Sequence, residues 1–381
     1  MDDKKLTSFE YLKKGYESWI LIILEFLDDK SRHKFYNSCK YIYFNVKHRY
    51  FKYNFNSKYS NLFVINKEFR NNVKKLIKKI HSLNLSHCSY NSGYKTRIKD
   101  VSMLEDMNCD KINLQGSWIL NDVSKLGNVK ALILQGCYQV TDIRNLGNQI
   151  YLNLSGCYKI TNVDNLGRVQ NLDLSFCRYI TDISALKDVK ILNLTGCEGI
   201  ENFNVLGNQI ELNLQGCNIT NVDMLANVQK LNLTNCKNIN NVNMLGRLKE
   251  LNLTKTNISD VSMLGKVETL TLILCKNIKD VSMLGGVKNL NLRDCHQVSD
   301  VSKLGTVNRL YISNNKKISD VSKLGNVRTL DISYCYGIKN ISMLVNVKKL
   351  IMHHFENRLD TSNLVNVEID DGYPYNYKYI N

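Results

Sequence analysis

Cysteine recurs at a regular interval through most of this chain, and a row of thiols can serve three kinds of chemistry. Thiolates bind metal ions such as zinc, neighbouring thiols form disulfides, and exposed thiols of low pKa act in redox reactions. Each interval is 19 or 20 residues once Thr256 and Asn315 are counted in the same row. The row consists of Cys137, Cys157, Cys177, Cys197, Cys217, Cys236, Cys275, Cys295 and Cys335. The elements that position these thiols decide which chemistry applies.

The cysteines lie inside a repeated unit with the pattern L-x-x-V-x-x-L-x-L-x-x-C-x-x-I-x-D-V-S-x-L-G. A period this short and regular predicts a solenoid of stacked units. Leu172 and Leu174 alternate with polar residues, as in a short strand with one buried face. Cys177 ends that strand, and Ile180 and Leu186 return apolar side chains to the same core. Because a unit of about 20 residues is too short for a long helix as well, we expect extended chain with a short 3₁₀ turn on its outer side.

This pattern resembles the leucine-rich repeat, L-x-x-L-x-L-x-x-(N or C)-x-L, over residues 83–366. The resemblance implies an α/β fold, namely a leucine-rich-repeat solenoid of about 14 short units. Parallel strands are expected on its concave side and extended or 3₁₀ chain on its convex side. Such arrays usually bind their partners on the concave strand face, at the exposed positions between the leucines.

Within this fold the cysteine row is predicted to be structural. Thr256 and Asn315 replace cysteine inside the regular array, and Ser117 stands there in the second unit, which would break a metal or disulfide ladder. All three are small and polar, so we expect buried, reduced thiols that bond to the backbone where the strand turns. The sequence has no CxxC pair and no phosphate-binding glycine motif. We therefore expect no catalytic residue, no bound metal, no cofactor and no enzymatic activity.

Three further positions of the unit carry characteristic residues. One position holds only Asp or Asn, as at Asp182 and Asn162, and its side chain is predicted to accept bonds from backbone N–H groups of the next turn. The frequent Asn disfavours calcium binding there. A glycine such as Gly246 follows the last leucine and is predicted to be a left-handed C-cap. Asparagines of the strand face, such as Asn193 and Asn213, are predicted to bond to one another along the array.

A candidate binding site lies in the loop just after the cysteine, which varies most between units. Three neighbouring units place aromatic and basic side chains side by side there, with Phe176 close to them. Tyrosine and arginine carry much of the binding energy at protein interfaces, so this rim is predicted to contact a protein. Ordinary loop variation is the alternative interpretation. The predicted contact residues are Tyr138, Tyr158, Lys159, Arg178 and Tyr179.

Charge and composition restrict the remaining classes of function. The chain has 381 residues and a formal net charge of +16, of which the first 80 residues hold +10. The single proline and the abundant Asn, Lys, Ile and Tyr are typical of an AT-rich genome. The N-terminus does not resemble a secretory signal, and the longest apolar run, Trp19 to Leu24, is too short to cross a bilayer. We expect a soluble cytoplasmic protein that is not secreted and does not contact a membrane.

A second resemblance concerns the residues before the repeats. Ile20, Ile23, Leu24 and Leu27 have the spacing of an amphipathic helix. The stretch "ILEFLDD", a basic turn and a helix containing "CKYIY" together resemble an F-box, although the usual opening Leu-Pro is absent. With the repeats and the composition, the chain resembles the F-box and leucine-rich-repeat proteins of mimivirus-like giant DNA viruses. The positions that match the docking face are Trp19, Ile20, Ile23, Leu24, Leu27, Phe35 and Cys39.

The F-box resemblance implies a substrate-recognition adaptor for a host cullin-type ubiquitin ligase. Its N-terminal helices would bind the linker subunit of the ligase, and the solenoid would hold an unknown target protein. The expected organisation is an F-box-like helical region over residues 1–55, a helical linker or cap over 56–82, the solenoid over 83–366, and a C-terminal cap or tail over 367–381.

Two alternatives remain open. In the first, the protein is a leucine-rich-repeat scaffold with no link to ubiquitin, and its N-terminal helices only cap the first repeat. In the second, the basic and aromatic residues between 30 and 79 bind nucleic acid by phosphate neutralisation and base stacking. No recognised nucleic-acid motif supports this second alternative, so a protein is the expected partner.

Overall fold

The structure is a computed structural model that describes residues 63–64, 66–67, 70–71, 80–86, 98–104, 109–355 and 359–372. These residues form two compact units, one within Met1–Asn153 and the other within Leu154–Asn381. Both units consist of repeats in which a short strand is followed by a tight turn, an extended segment and, in most repeats, a 3₁₀ helix. The predicted F-box-like region lies outside the described residues.

Within its described residues, the first unit contains four parallel strands that pair in chain order. They are β1 (Ile80–Asn84), β2 (Cys109–Asn113), β3 (Ala131–Ile133) and β4 (Tyr151–Asn153). The 3₁₀ helices of this unit are Ser102–Leu104 and Ser124–Leu126. Ahead of β1, Phe63, Val64 and Arg70 are helical, and the Arg70 guanidinium donates to the carbonyl oxygens of Phe63 and Val64 at 2.7 and 2.9 Å.

The described residues of the second unit contain eleven parallel strands, again paired in chain order. They are β5 (Asn171–Asp173), β6 (Ile191–Asn193), β7 (Glu211–Asn213), β8 (Lys230–Asn232), β9 (Glu250–Asn252), β10 (Thr269–Thr271), β11 (Asn289–Asn291), β12 (Arg309–Tyr311), β13 (Thr329–Asp331), β14 (Lys349–Ile351) and β15 (Glu368–Asp370). Its 3₁₀ helices are Asp164–Arg168, Ser184–Asp188, Asp223–Asn227, Asn243–Leu245, Ser262–Leu264, Ser282–Gly286, Ser302–Leu304 and Ser322–Leu324.

Alternation along each strand builds the core. The central leucine of one strand pairs in register with that of the next, as Leu270 does with Leu290 and Leu290 with Leu310, and all three are fully buried. The polar residues on either side of the central leucines stay at least partly exposed, except Asp331 in β13, which is buried. The predicted strand positions and the predicted 3₁₀ turns are confirmed. One further strand, β15, lies in the segment that was expected to be the C-terminal cap.

The Asp and Asn residues ahead of each 3₁₀ turn act as predicted. The backbone N–H of Ser184 donates to Asp182 Oδ1 at 2.8 Å, and the N–H of Asp164 donates to Asn162 Oδ1 at 2.9 Å. An amide oxygen and a carboxylate oxygen accept the same bond, which explains why either residue stands at this position.

Apart from Gly207, whose φ is 133°, the glycines that follow the last leucine of each repeat do not act as predicted. Gly246, Gly265 and Gly305 have φ of −65°, −62° and −62°, so the expected left-handed C-cap is wrong for them. The reason for glycine is steric instead. A Cβ on Gly325 would lie 2.5 Å from the carbonyl oxygen of Met343 in the next repeat. These glycines therefore allow the 3₁₀ sides of consecutive repeats to approach each other closely.

Candidate binding surface

The cysteine row lies in the core, immediately after the turn that ends each strand. All ten cysteines among the described residues are buried thiols outside any disulfide. The Cys197 thiol donates to the carbonyl oxygen of Leu174 in the preceding repeat, with an S–O distance of 3.1 Å. Where Asn315 replaces cysteine, its amide donates to the equivalent carbonyl oxygen of Leu292 at 2.8 Å. The prediction of a buried side chain that bonds to the backbone is confirmed.

Burial also makes these thiols chemically inert near neutral pH. Desolvation raises the pKa of Cys137 and Cys295 to about 12 and that of Cys236 to about 11. A thiol must lose its proton before it attacks an electrophile or binds a metal, and these thiols keep theirs. Within the part of the chain that the structure describes, no group of three or more His, Cys, Asp or Glu residues is arranged to hold a metal ion.

The asparagines of the strand face bond within their own repeats. Asn193 Oδ1 accepts hydrogen bonds from the backbone N–H of Thr195 at 3.1 Å and from its hydroxyl at 2.7 Å. Asn232 receives the same pair of bonds from Thr234. From Asn193 to Asn291, none of the described hydrogen bonds joins two asparagines of this column. The predicted amide ladder is wrong because the oxygen reaches its own backbone two residues on.

Each strand from β2 to β14 leads into a turn whose residue just before the cysteine position has a positive φ, and we call this the strand-end turn. Several repeats place glycine there, such as Gly156 with φ of 70° and Gly196 with φ of 65°. Other repeats place a larger residue in the same left-handed conformation, which costs about 1 kcal/mol or more for a residue with a Cβ. These residues are Phe176, Asn235, Lys255, Leu274, Asp294, Asn314, Tyr334 and His354, with φ of 58° to 61°.

Each predicted contact residue lies in the loop that follows a strand-end turn, and we call the edge of a unit that these turns and loops form its rim. Tyr138 belongs to the first unit, whereas Tyr158, Lys159, Arg178 and Tyr179 belong to the second. All five are exposed, and the exposed fraction reaches 66% for Tyr179. The structure thus brings four of the predicted residues together in two consecutive repeats of one unit.

Phe176 differs from the corresponding residues of the two adjacent repeats. It adopts φ of 61° where the repeats on both sides use glycine, and its side chain is still 46% exposed. Its ring lies over Gly196, because a Cβ placed there would come within 2.9 Å of the Phe176 ring. We call Tyr158, Phe176, Arg178 and Tyr179 the aromatic surface. The sequence placed Phe176 only near the predicted site, because its backbone conformation is visible only in the structure.

The charged group of the aromatic surface is accessible to a partner. The Arg178 guanidinium lies 3.8 Å from Glu198, and both side chains are more than half exposed. An exposed ion pair of this length contributes little to stability, so it competes weakly with a partner carboxylate. Arg178 therefore retains most of its capacity to bind.

Sequence reasoning missed a second group of unusual residues near the end of the repeats. Tyr334 stacks on His354 with ring centroids 4.6 Å apart, and Tyr336 meets Tyr334 edge-on at 6.5 Å. Nearby on the strand face, Arg293 bonds to the Asp331 carboxylate at 3.3 Å, although Asp331 is nearly buried. The signal in the sequence was departure from the repeat pattern at several neighbouring positions.

A serine, a histidine and an aspartate also come together there, but their geometry is not that of a catalytic triad. The His353 ring bonds to Asp370 through Nε2 at 2.8 Å. Ser333 Oγ accepts a hydrogen bond from the backbone N–H of His353 at 3.0 Å, so the hydroxyl bonds to the main chain rather than to the imidazole. These contacts join neighbouring repeats and give the serine no general base.

Comparison with known proteins identifies the fold. An internalin (inlF) of Listeria monocytogenes matches 84% of this chain and 95% of its own, with 18% identity and a TM-score of 0.52. The structure of the TLR13–ssRNA13 complex matches 78% of this chain and 55% of its own, with 18% identity and a TM-score of 0.56. The functional domain of InlJ from Listeria monocytogenes matches 72% of this chain and 67% of its own, with 19% identity and a TM-score of 0.48.

The chain thus has the fold of a leucine-rich-repeat solenoid. No family model matches the sequence, and no curated protein matches it either. Among the described residues, no helix has the length and apolar character needed to span a membrane.

Proposed function

We propose that this protein is a binding scaffold whose protein partner contacts the aromatic surface of the second unit. The observation that carries the proposal is Phe176, a large apolar residue kept exposed in a backbone conformation that favours glycine. Unfavourable backbone conformations concentrate at functional sites, because the surrounding structure must maintain them for some purpose. Aromatic residues and arginine are also the side chains that most often dominate binding energy.

Rigid support strengthens the case for this surface. The Phe176 backbone N–H donates to the carbonyl oxygen of Thr195 in the next repeat at 2.7 Å, and the Cys177 thiol donates to Leu154 at 3.2 Å. The Ser175 hydroxyl bonds to that of Ser155 at 2.8 Å. Three consecutive repeats therefore hold the turn in place, so a partner would lose little free energy in ordering it.

Photo-crosslinking tests the proposal directly. A photoreactive phenylalanine analogue at Tyr179 is expected to capture a specific protein from cells that express the chain. The matched control carries the same analogue at Asn238, an exposed position on the same rim in a repeat without aromatic residues. Binding of the captured protein to the purified chain should then weaken at least tenfold, or about 1.4 kcal/mol, in a Phe176→Ala, Arg178→Ala variant. Equal capture at both positions, or unchanged affinity in the variant, would rule out the aromatic surface.

The ubiquitin-ligase adaptor is a finer form of the same proposal and depends on the N-terminal sequence alone. Its supporting observation is the F-box-like stretch around "ILEFLDD". If this region is an F-box, the full chain should bind the linker subunit of a host cullin-type ligase in the host cytoplasm. Ile23→Asp should abolish that binding, whereas Phe176→Ala should preserve it. Failure of the unmodified chain to bind the linker subunit leaves a scaffold without a ubiquitin link.

A further inference from the structure

Two lysines of the strand face in the second unit, Lys230 and Lys288, are paired with carboxylates. The Lys230 ammonium lies 3.2 Å from Glu211 and 3.4 Å from Glu250, so it bridges both neighbouring strands. Lys288 lies 2.7 Å from Glu268 of the preceding repeat. The pairs neutralise Lys230 and Lys288, whereas Lys249 on the same face bonds to the uncharged amide of Gln229 at 2.9 Å.

The lysines of the rim are different. Lys237, Lys255, Lys276, Lys279 and Lys316 are all exposed, and we call them the basic rim. Within the described part of the chain, none of the five makes an ion pair. Consecutive repeats are about 4.8 Å apart at their strands, so these charges reinforce one another. The basic rim therefore has a positive potential that is not cancelled within the described residues.

Side-chain amides hold the backbone of this rim. Asn257 Nδ2 donates to the carbonyl oxygen of Lys237 at 2.8 Å, and Asn277 Nδ2 donates to that of Asn257 at 2.9 Å. Each loop is thereby tied to the loop of the preceding repeat. Lys237 and Lys276 thus project from a fixed backbone, which lowers the entropic cost of binding a partner.

A row of carboxylates runs parallel to the basic rim. It consists of Asp260, Asp280, Asp300 and Asp320, whose Oδ1 atoms accept backbone N–H bonds at 2.8 to 2.9 Å. These backbone bonds lower the pKa of each carboxyl group, so the row stays negative at neutral pH. The two rows meet in a cleft of about 550 Å³. Its lining includes Lys276, Lys279 and Asp280.

The paired rows discriminate between classes of anionic partner. A nucleic acid carries a negative charge at every phosphate, so the acidic row would repel part of any strand laid along the rim. A polypeptide can direct acidic side chains toward the lysines and neutral or basic side chains toward the aspartates. We infer that the basic rim binds an acidic segment of a protein partner. This inference rests on the proposed scaffold function and names the chemistry of its partner.

The test uses the full chain and two fluorescent probes, a peptide of alternating glutamate and serine and an oligothymidine of similar length. Fluorescence anisotropy should show that the peptide binds and that added salt weakens the binding. Lys237→Glu together with Lys276→Glu should weaken peptide binding about tenfold. The matched control, Lys288→Glu together with Lys349→Glu, changes the net charge equally on the strand face and should have a much smaller effect.

Two further measurements keep the outcomes distinct. The first is the melting temperature of every variant, which shows whether weaker peptide binding reflects lost folding. The second is peptide binding by a Lys237→Gln, Lys276→Gln variant, which removes the two charges without reversing them. Equal weakening in rim and strand-face variants, or tighter binding of oligothymidine than of the peptide, would overturn the inference. If the analogue at Tyr179 captures a specific protein but Lys237→Glu with Lys276→Glu leaves peptide binding unchanged, the inference of an acidic partner segment is refuted and the proposed scaffold function stands. If the analogue at Tyr179 captures no protein beyond those captured at Asn238, the proposed function itself is refuted.

Discussion

The strand-end turn and the 3₁₀ turn on the other side of each repeat both carry glycines, but the structure requires them for different reasons. At the strand-end turn, Gly216 has φ of +71° and no heavy atom lies within 4 Å of a Cβ built on it. At the 3₁₀ turn, Gly325 has an ordinary φ of −58°, yet a Cβ would meet the Met343 carbonyl oxygen at 2.5 Å. The first position is restricted by backbone conformation and the second by its neighbour.

This difference indicates where a repeat protein of this kind can vary. A side chain at the strand-end turn carries the cost of the left-handed conformation but displaces no neighbouring repeat, as at Phe176, Lys255, Leu274, Tyr334 and His354. Such side chains can contact one another on the surface, as the Tyr334 ring does where it stacks on His354. At the 3₁₀ turn a side chain must displace the next repeat, although Lys187, Ala226 and Val345 show that some repeats accommodate one. The rim is therefore the side on which binding surfaces can arise with little effect on stacking.

The largest expected effect is a loss of stability at alkaline pH, caused by the buried thiols that follow the strand-end turns. Burial raises the pKa of Cys137 to about 12 and that of Cys335 to about 11, whereas a thiol in the unfolded chain titrates near about 8.5. The stabilisation that comes from keeping these thiols protonated is fully present below about pH 8.5. As pH rises from there toward the pKa values of the folded chain, the free energy of unfolding should fall by about 1.4 kcal/mol per pH unit for each thiol. Urea unfolding at several alkaline pH values measures this slope. Cys335→Asn places the residue of Asn315 at this position and should reduce the slope. An unchanged slope would contradict the claim that the buried Cys335 thiol causes part of the loss of stability in alkali.

The carboxylates ahead of the 3₁₀ turn respond in the opposite direction. A backbone hydrogen bond lowers the pKa of Asp182, so its contribution is present above the ordinary aspartate value and is lost as pH falls through the lowered one. Alkali should therefore weaken the repeat beside the strand-end turn, and acid should weaken it beside the 3₁₀ turn.

Gly325→Ala should have the next largest effect. Alanine suits the φ of this residue and would stabilise the chain if backbone entropy alone mattered. Contact with the Met343 carbonyl should instead destabilise it by about 2 kcal/mol. Denaturant unfolding gives the sign, and an increase in stability would show that the steric explanation is wrong.

Gly216→Ala is the counterpart at the strand-end turn. No atom obstructs its Cβ, so the change should cost about 1 kcal/mol through the left-handed backbone alone. The same unfolding measurement applies. A loss as large as that of Gly325→Ala would remove the distinction between the two turns.

Sequence alone could locate the strands, the core and the buried thiols, because each recurs in many repeats at one spacing. It could not distinguish the two uses of glycine, since a demand for positive φ and a demand for close approach leave the same residue in the pattern. The amide ladder failed for a related reason. A column of asparagines such as Asn193 and Asn232 does not reveal that each oxygen is already bonded to its own backbone.

The binding surface could be predicted only in part. Tyr158, Arg178 and Tyr179 were identified by residue type, because aromatic and basic residues interrupt a polar loop. Phe176 needed the structure, since its significance lies in a backbone conformation that its neighbours reserve for glycine. The positions of the rim lysines were visible in the sequence, but the carboxylates that pair with Lys230 and Lys288 on the strand face were not.

Phe176→Gly should have the smallest effect on stability and therefore best separates function from folding. The substitution relieves a left-handed backbone but adds unfolded-state entropy, so stability should change by less than about 0.5 kcal/mol. Crosslinking through Tyr179 should nevertheless be lost, because the exposed ring is absent. Tyr334→Gly makes the same backbone change at φ of 60° outside the aromatic surface and should preserve crosslinking. If Phe176→Gly lowered the melting temperature markedly more than Tyr334→Gly, the ring would be stabilising the repeats, and its exposure would no longer argue for a partner.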